Sequence, residues 1–355
     1  MINAEFWRGR RVFITGHTGF KGSWLCELLL TFGAKIAGYA LAPNTAPNLW
    51  DLCGLDAKME SHIGDIRDID KLQNAFDATK PEIVFHLAAQ PLVLDSYQRP
   101  RYTYETNVMG TVNILECIRN ADCVKSFVNI TTDKVYLDRE NGEDYREGDY
   151  LNGCDPYSNS KSCSEMVTSS YVNSFCHAKH IAVSTARSGN VIGGGDFAAN
   201  RIIPDCAKAA AAKKLINIRN PVSARPYQFV LDTLTAYLLI AEKQYSDLSL
   251  AGAYNIGPDS AANNGELAAI FCNAWGDGAA WEHARAEQPY EARLLSLNCG
   301  KIKTALGWRP RYGIAEAVRL SAQWYRAFYD SVDTNAVSDA IAVMIRQIEE
   351  YTLDG

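Results

Sequence analysis

A glycine-rich turn near the start of the chain constrains the fold more than any other segment. Residues 11–15 (RVFIT) are typical of a short buried strand, and they lead directly into GHTGFKG and then a helical stretch from Ser23. Glycines at such a turn let the backbone approach a pyrophosphate, and the helix N-terminus adds a partial positive charge. The pattern predicts a dinucleotide site, whose candidate contacts are Gly16, His17, Thr18, Gly19, Phe20, Lys21 and Gly22.

Strand-like and helix-like segments alternate from this turn to residue 187. This alternation predicts an α/β fold, a Rossmann-type doubly wound parallel sheet with a smaller C-terminal α/β substrate lobe. We expect residues 1–187 to form the dinucleotide-binding domain, with residues 227–257 returning to it. Residues 188–226 and 258–355 are then expected to form the substrate lobe.

Residues at the ends of these predicted strands are further candidates for cofactor contacts. Asp65 is suited to hold an adenine amino group and Ile66 to cover its ring, although this segment also reads as a helix start capped by Asp68. The remaining candidates are Leu87, Ala88, Ala89, Gln90, Asn107, Thr131 and Arg187. The second strand ends without an acidic residue or a nearby arginine, so its residues leave the choice between NAD and NADP open.

Tyr157 and Lys161 are spaced for one face of a helix, and they are the candidate catalytic pair. A lysine ammonium beside a phenol lowers the pKa of the phenol and suits it to act as a base. A tyrosine near a helix start is more often a packing residue. The catalytic interpretation is favoured by Thr132, Asp133 and Lys134, which follow a predicted strand at residues 126–130, where the ligand crevice of such sheets lies.

These motifs resemble the extended short-chain dehydrogenases/reductases of the NAD-dependent epimerase/dehydratase family, and within it the CDP-glucose 4,6-dehydratase subfamily. The narrower resemblance rests on HTGFKGSW, LAAQPLV, TDK, SGNVIGGGDF, RIIPD and LGWRP, and it runs through almost the whole chain. It implies bound NAD and a nucleotide-diphosphate sugar, expected to be CDP-glucose. The sugar would be oxidised at C4, lose water across C5–C6 and regain the hydride at C6, giving CDP-4-keto-6-deoxyglucose.

The resemblance also implies a role for each catalytic candidate. Tyr157 would take the C4 hydroxyl proton, Lys161 would bind the nicotinamide ribose, and Thr132 would hydrogen-bond the sugar O4. Asp133 would protonate the departing C6 hydroxyl. Related dTDP-glucose dehydratases carry a glutamate base where this chain has Lys134, so we hypothesise that Lys134 in its neutral form removes the C5 proton.

The substrate candidates are mostly arginines in the predicted lobe. Arg201, Arg219 and Arg225 would individually be ordinary surface charges, but as a set they favour a nucleoside diphosphate. The resemblance adds further substrate-binding candidates, which are Gln90, Asn190, Ile203 and Arg293.

Composition argues against several other classes of protein. The net charge of −6 argues against nucleic-acid binding, and the six histidines form no ligand-spaced cluster, so we expect no metal. Ten scattered cysteines without a CxxC pair indicate reduced thiols. With neither a secretory signal nor an apolar run of membrane-spanning length, we expect a cytoplasmic protein that binds no membrane.

Two competing functions share parts of this pattern. A nucleotide-sugar 4-epimerase would also use Tyr157 and Lys161, but it would not need the acid and amine beside Thr132. A non-catalytic NAD-sensing regulator would commonly lack the Tyr/Lys pair. The resemblance further implies a homodimer or a dimer of dimers, through the helix from Asn107 and the helix at residues 160–172.

Overall fold

The computed structural model describes residues 2–139, 143–284, 296–330 and 336–353. Its centre is a sheet of seven strands in which every neighbouring pair is parallel. In chain order the strands of the protein are β1 Arg11–Thr15, β2 Lys35–Ala40, β3 Glu60–Ile63, β4 Ile83–His86, β5 Ser126–Ile130, β6 Ala182–Ser188, β7 Val191–Ile192, β8 Ile216–Ile218, β9 Ala224–Arg225, β10 Gln228–Phe229, β11 Ala253–Ile256, β12 Ala262–Asn263 and β13 Trp281–His283.

Helices cover both faces of this sheet. They are α1 Ala4–Trp7, α2 Phe20–Thr31, α3 Leu49–Leu52, α4 Ile69–Thr79, α5 Val93–Gln98, α6 Pro100–Tyr104, α7 Gly110–Asn120, α8 Pro156–Tyr171, α9 Ile202–Ala211, α10 Val230–Ser246, α11 Asn264–Trp275, α12 Gly300–Ala305, α13 Ile314–Asp330 and α14 Ala336–Leu353. Single π-helical turns, Glu105–Met109 and Val172–Cys176, precede α7 and follow α8. Helix α7 thus begins after the predicted start at Asn107.

The sheet order explains where a ligand would bind. The order is β11-β6-β5-β4-β1-β2-β3, so the direction of winding reverses between β1 and β4. In open parallel sheets the ligand crevice forms at the carboxyl ends of the strands that flank this reversal. Strands β5 and β6 are buried along their whole length, as expected for parallel strands inside a sheet that is covered on both faces.

Aromatic side chains of α2 and α13 pack against the segment that follows β7. Trp24 of α2 donates its indole N–H to the Gly194 carbonyl at 2.9 Å. A Cβ at Gly194 would lie 2.0 Å from the ring of Trp324, so only glycine lets α13 approach this closely. The short strands outside the seven-stranded sheet pair as β7 with β10, β9 with β12 and β8 with β13.

Most of the cysteines lie in the packed interior. All ten cysteines are free thiols and seven are buried, so most of them serve in packing. Within the described ranges, no helix is long and apolar enough to cross a membrane. The same residues contain no group of three or more His, Cys, Asp or Glu side chains placed to hold a metal ion.

Candidate active site

The glycine turn between β1 and α2 forms a cradle with free backbone donors. Gly16 has φ +77°, and a Cβ there would lie 2.7 Å from the Ala88 nitrogen, so the turn approaches the end of β4 as closely as a glycine allows. A Cβ on Gly22 would lie 2.2 Å from the Gly16 carbonyl oxygen. Helix α2 has Gly19 as its N-cap, with no side chain capping the first N–H groups. These features fit the pyrophosphate of a dinucleotide.

Two side chains of the turn are used inside the protein. The Nε2 atom of His17 lies 2.8 Å from the Ser61 hydroxyl, the ring packs against Trp50, and burial lowers the pKa of His17 to about 4. The Thr18 hydroxyl donates to the Leu41 carbonyl at 2.8 Å. The His17 ring and the Thr18 hydroxyl thus help to fix the shape of the turn.

Asp65 lies beside the end of β3, and its carboxylate is held in place. Arg67 donates to it from Nε and Nη2, the latter at 2.7 Å, and this hydrogen bonding holds the pKa of Asp65 below its ordinary value. Ile66 is buried, and a Cβ on Gly110 would lie 2.8 Å from it. Asp65 is thus fixed as a charged acceptor at the place predicted for adenine.

The segment after β4 is fastened to α8 through Asn107. The Asn107 side chain accepts from the Gln90 backbone N–H at 2.8 Å and donates to the Gln90 carbonyl and to the Ser160 hydroxyl. The Gln90 side chain donates to Thr103 and Leu92 and accepts from the Leu92 N–H. Both predicted contact residues therefore have their side chains committed inside the protein. Residues 87–89 are partly exposed, the N–H groups of Leu87 and Ala88 donate to Thr15, and the contact of this segment with a cofactor stays a prediction.

Helix α8 carries the predicted catalytic pair. It begins with Pro156, and the Asp155 carboxylate caps it by accepting the Ser158 N–H at 2.9 Å. Tyr157 and Lys161 are both buried on successive turns, and the Lys161 ammonium donates to the Ile130 carbonyl at the end of β5, at 3.0 Å. The crevice end of β5 and the pair on α8 thus form one site.

The surroundings shift the pKa values of this pair apart. Burial raises the pKa of Tyr157 to about 12, although a hydrogen bond with Thr132 and the charge of Arg201 lower it. Burial and the nearby Lys21 lower the pKa of Lys161 to about 7. The net pKa of Tyr157 is therefore raised by burial, and the lowering of this pKa by Lys161 stays a prediction. A lysine that is only half protonated near neutral pH stabilises a phenolate weakly.

Three cationic side chains influence one another around Tyr157. Burial and the charge of Arg201 lower the pKa of Lys21 to about 8, and Lys21 in turn lowers the pKa of Lys161. The Lys21 ammonium donates to the Tyr237 hydroxyl at 3.4 Å. Mutual repulsion among these groups is relieved by a bound anion, so the site is electrostatically suited to a phosphate-bearing ligand.

Thr132, Asp133 and Lys134 follow β5 in a short 3₁₀ turn, Asp133–Val135. The Thr132 hydroxyl donates to Asp133 Oδ1 at 2.9 Å, and Asp133 is buried. Its Oδ2 has no hydrogen-bond partner among the described residues, and a Cβ on Gly189 would lie 2.9 Å from that atom. Because buried carboxylate oxygens are normally hydrogen-bonded, this oxygen is placed to contact a ligand. Lys134 is partly buried in the same turn.

Arg187 does not lie where it was predicted. Its guanidinium is buried and donates to Glu165, to the Tyr136 hydroxyl and to the Glu147 carbonyl, so it faces the protein interior rather than a cofactor. Thr131 likewise donates to Glu165, at 2.6 Å. Sequence reasoning missed Glu165 and Tyr136, because neither belongs to a recognisable motif.

The structure places one of the predicted substrate-binding arginines beside Tyr157. Arg201 pairs with Asp196 at 3.4 Å between the nearest atoms and acts electrostatically on Tyr157, which places it at the site. Ile203 lies in the hydrophobic core, and Arg219 is exposed. Arg225 is buried and donates to the Ala224 carbonyl at 2.8 Å. The last two candidates are Asn190, partly buried with its carbonyl accepting from Gln228, and Arg293, which lies outside the described residues.

The glycine cradle at the switch point and the Tyr–Lys pair beside it define a dinucleotide-binding oxidoreductase-like fold of the short-chain dehydrogenase/reductase type. Comparisons with known proteins narrow this class. The family model described as GDP-mannose 4,6 dehydratase matches residues 13–321. A CDP-glucose 4,6-dehydratase of Salmonella typhimurium is 45% identical over 99% of this chain and 98% of its own length.

More distant relatives include a dTDP-glucose 4,6-dehydratase of Xanthomonas campestris, 27% identical over 88% of this chain and 92% of its own. Among solved structures, the UDP-glucose 4-epimerase of Thermus thermophilus in complex with NAD is 27% identical, with a TM-score of 0.77 over 89% of this chain and 99% of that one. The chain therefore belongs to the GDP-mannose 4,6 dehydratase family, within the NAD-dependent epimerase/dehydratases of the short-chain dehydrogenase/reductase class.

Proposed function

We propose that this protein is a CDP-glucose 4,6-dehydratase that uses bound NAD and forms CDP-4-keto-6-deoxyglucose and water. The observation that carries the proposal is the buried Asp133 beside the Tyr157–Lys161 pair, because a 4-epimerase has no need of an acid for elimination. The 45% identity to a CDP-glucose 4,6-dehydratase over nearly the whole of both chains supports the choice of nucleotide sugar.

The first step is oxidation at C4. Tyr157, in its phenolate form, takes the proton of the C4 hydroxyl, and Thr132, which lies within hydrogen-bonding reach of Tyr157, holds the O4 atom. The glycine cradle at residues 16–22 would hold NAD, which would supply the hydride acceptor for C4 and the hydride donor for C6. Lys161, which interacts electrostatically with Lys21 of the cradle, orients the ribose, while its ammonium form stabilises the phenolate.

The second step is the loss of water across C5–C6. The C4 ketone acidifies the C5–H bond, and Lys134 in its neutral form takes this proton. Asp133, in its protonated form, gives a proton to the departing C6 hydroxyl, so that water leaves. After the hydride reaches C6, Lys134 returns a proton to C5. The partnerless Oδ2 of Asp133 supports its contact with the C6 hydroxyl.

The role of Lys134 as the base is the least conventional part of the proposed mechanism. Exchange of the substrate C5 proton with the solvent tests this role. Lys134→Ala is expected to slow exchange of the substrate C5 proton with deuterium from the solvent by about 10²-fold or more, the range of general base catalysis. Exchange is followed by NMR in the presence of NAD. If Lys134→Ala exchanges this proton at the wild-type rate, Lys134 is not the base.

We further propose that Arg201 and Arg225, with Arg219 and Arg293 as weaker candidates, bind the nucleoside diphosphate. The division into a cofactor domain (residues 1–187 with 227–257) and a nucleotide-sugar lobe (residues 188–226 with 258–355) is part of the same proposal. Its support is that Arg201 influences Tyr157 from the lobe side. A cytoplasmic location fits the free thiols, which disulfide-forming compartments would oxidise.

We also propose that the protein is a homodimer or a dimer of dimers. The supporting observation is a set of exposed large apolar side chains on and beside α5, α7 and α8, which are Leu94, Tyr97, Met109, Met166 and Phe175. An apolar face of this kind marks an interaction surface. Met166→Glu is expected to yield monomers in light scattering, and an unchanged molar mass would reject this face as the interface.

The proposed function is tested by comparing kcat/KM for CDP-, dTDP-, GDP- and UDP-glucose with NAD present. The CDP sugar is expected to give the 4-keto-6-deoxy product with the highest value. Formation of that product from one of the other nucleotides instead would keep the mechanism and reject the choice of base. Inversion at C4 without a 4-keto product would favour the 4-epimerase.

A further inference from the structure

An ion pair lies beneath the proposed catalytic turn and is shielded from solvent. Arg187 Nη2 lies 2.8 Å from Glu165 Oε2, and both side chains are only 4% exposed. Glu165 lies on α8, four residues after Lys161, and Arg187 lies on β6, next to β5 in the sheet. The pair therefore joins α8, which carries Tyr157, to β6. Strand β6 is the neighbour of β5, which leads into Thr132–Lys134.

Glu165 fixes the residue before this turn. Its Oε1 accepts from the Thr131 hydroxyl at 2.6 Å and from Arg187 Nε at 2.9 Å. Its Oε2 accepts from the Thr185 hydroxyl at 2.7 Å. Both carboxylate oxygens are thus satisfied by donors from the crevice ends of β5 and β6, and Thr131 is held at the point where the chain leaves the sheet.

Arg187 fixes the residue after the turn. Its Nη1 donates to the Tyr136 hydroxyl at 2.8 Å and to the Glu147 carbonyl at 2.9 Å. The Tyr136 hydroxyl in turn donates to Asn255 Oδ1 at 2.5 Å. A single ion pair therefore holds the chain on both sides of residues 132–135.

We propose that Glu165 and Arg187 are positioning residues that set the geometry of Asp133 and Lys134 for the elimination step. This inference rests on the proposed dehydratase function and deepens it. A buried ion pair contributes little net stability compared with apolar side chains of similar volume, but its hydrogen bonds are directional. Here four donors converge on one carboxylate, and the arrangement defines the position of Thr131 and Tyr136 relative to α8.

The two chemical steps depend differently on this arrangement. Tyr157 and Lys161 are held by α8 itself and by the contact of Lys161 with the Ile130 carbonyl. Asp133 and Lys134 belong to the turn whose two flanks the ion pair holds. Loosening either flank therefore slows elimination more than C4 oxidation. Oxidation is slowed to a smaller extent, because Thr132, which holds the O4 atom, belongs to the same segment.

Three variants test the proposal at different points. Thr131→Val removes the hydrogen bond to Glu165, and Tyr136→Phe removes those with Arg187 and Asn255, while both leave the ion pair and its charges in place. Glu165→Gln removes the charge itself, and because this charge also raises the pKa of Lys161, this variant is expected to slow C4 oxidation as well as elimination. The matched control is Glu242→Gln, because Glu242 is also a buried glutamate but accepts from the Asn3 backbone, at the opposite end of the sheet.

Each variant is mixed with CDP-glucose and NAD, and both the absorbance of reduced nicotinamide and the product are followed within one turnover. In Thr131→Val and Tyr136→Phe we expect product formation to fall by about 10–100-fold, the cost of a small misplacement of catalytic groups. Reduced nicotinamide is expected to accumulate, because oxidation outruns elimination. The control is expected to match the wild type. Loss of product without such accumulation would overturn the proposal, as would variants that behave like the control.

Hydrogen exchange gives a readout that does not depend on turnover. In the same variants, the amides of residues 131–136 are expected to exchange faster than in wild type and in Glu242→Gln, while those of α8 stay protected. Unchanged protection of residues 131–136 would contradict the proposal. A wild-type protein that does not convert CDP-glucose would refute the proposed function instead, and the exchange experiment would still report on the positioning role.

Discussion

Replacing Lys161 by methionine should make the cofactor-free protein more stable and catalytically inactive. Lys161 is buried, and burial with the charge of Lys21 lowers its pKa from an ordinary 10.5 to about 7. Keeping an ammonium group there therefore costs the folded state free energy that an unbranched apolar side chain does not cost. A buried amine at this site is consistent with function being maintained at the expense of stability.

The size of the effect follows from the displaced pKa. A shift from 10.5 to about 7 corresponds, at ~1.4 kcal/mol per unit, to an upper bound of about 5 kcal/mol. Loss of the hydrogen bond from Lys161 to the Ile130 carbonyl offsets this by about 1 kcal/mol. We expect Lys161→Met to be about 2–4 kcal/mol more stable than wild type below the folded-state pKa.

The dependence on pH separates this cause from improved packing. Between about pH 7 and 10.5 the unfolded chain holds the Lys161 proton more firmly than the folded chain, so wild-type stability rises with pH in this window. The advantage of Lys161→Met is therefore full below about pH 7 and shrinks above it.

Urea unfolding of the cofactor-free protein at about pH 6 and about pH 9 measures this change, which is expected to be about 1–3 kcal/mol. Lys71→Met serves as the control, since Lys71 is 71% exposed and its substitution should have no such pH dependence. An advantage of Lys161→Met that is the same at both pH values would refute the reasoning.

Two further substitutions probe other parts of the site. Tyr157→Phe keeps the buried ring but removes the proposed base, so kcat should fall by about 10²–10⁴-fold with little change in KM, as measured by product formation; a loss below tenfold would reject Tyr157 as the base. Gly16→Ala should weaken NAD binding in calorimetry by at least tenfold, because its Cβ would meet the Ala88 backbone at 2.7 Å. Gly54→Ala is the control, with a similar positive φ of +59° but open space around the Cβ, and equal NAD affinity in the two variants would contradict the close-approach argument.

The central sheet was largely predictable from the sequence. The predicted strands at residues 11–15, 35–40 and 126–130 agree with β1, β2 and β5, because buried parallel strands are short apolar runs bounded by turn residues. The glycine turn was equally predictable, because its glycine spacing lies within one short segment of the sequence. The helix start at Asp68 was also predictable from the neighbouring residues, and the Asp68 carboxylate accepts the Lys71 N–H.

The support of the catalytic turn was not predictable. Glu165 reads as one polar residue among many on α8, and its partner Arg187 is 22 residues away on another element. Tyr145 belongs to a polar stretch of the sequence, yet its ring is buried and stacks on Tyr136. These contacts depend on how distant segments meet, and a single sequence contains no signal for that meeting.

The pKa of the catalytic pair illustrates the same limit. The spacing of Tyr157 and Lys161 indicated that they share a helix face, and this is where α8 places them. The spacing did not indicate the pKa values, because burial raises the pKa of Tyr157, and burial with the charge of Lys21 lowers that of Lys161. Burial of this kind is a property of the assembled site rather than of a motif.

The most direct test of the proposed reaction is the fate of a deuterium label at C4 of CDP-glucose. The substrate is incubated with the protein and NAD, and the label is located by NMR. The proposed mechanism predicts deuterium at C6 of the 4-keto-6-deoxy product, because the hydride removed from C4 returns within the same active site. Consumption of CDP-glucose without transfer of the label to C6 would contradict the dehydratase mechanism.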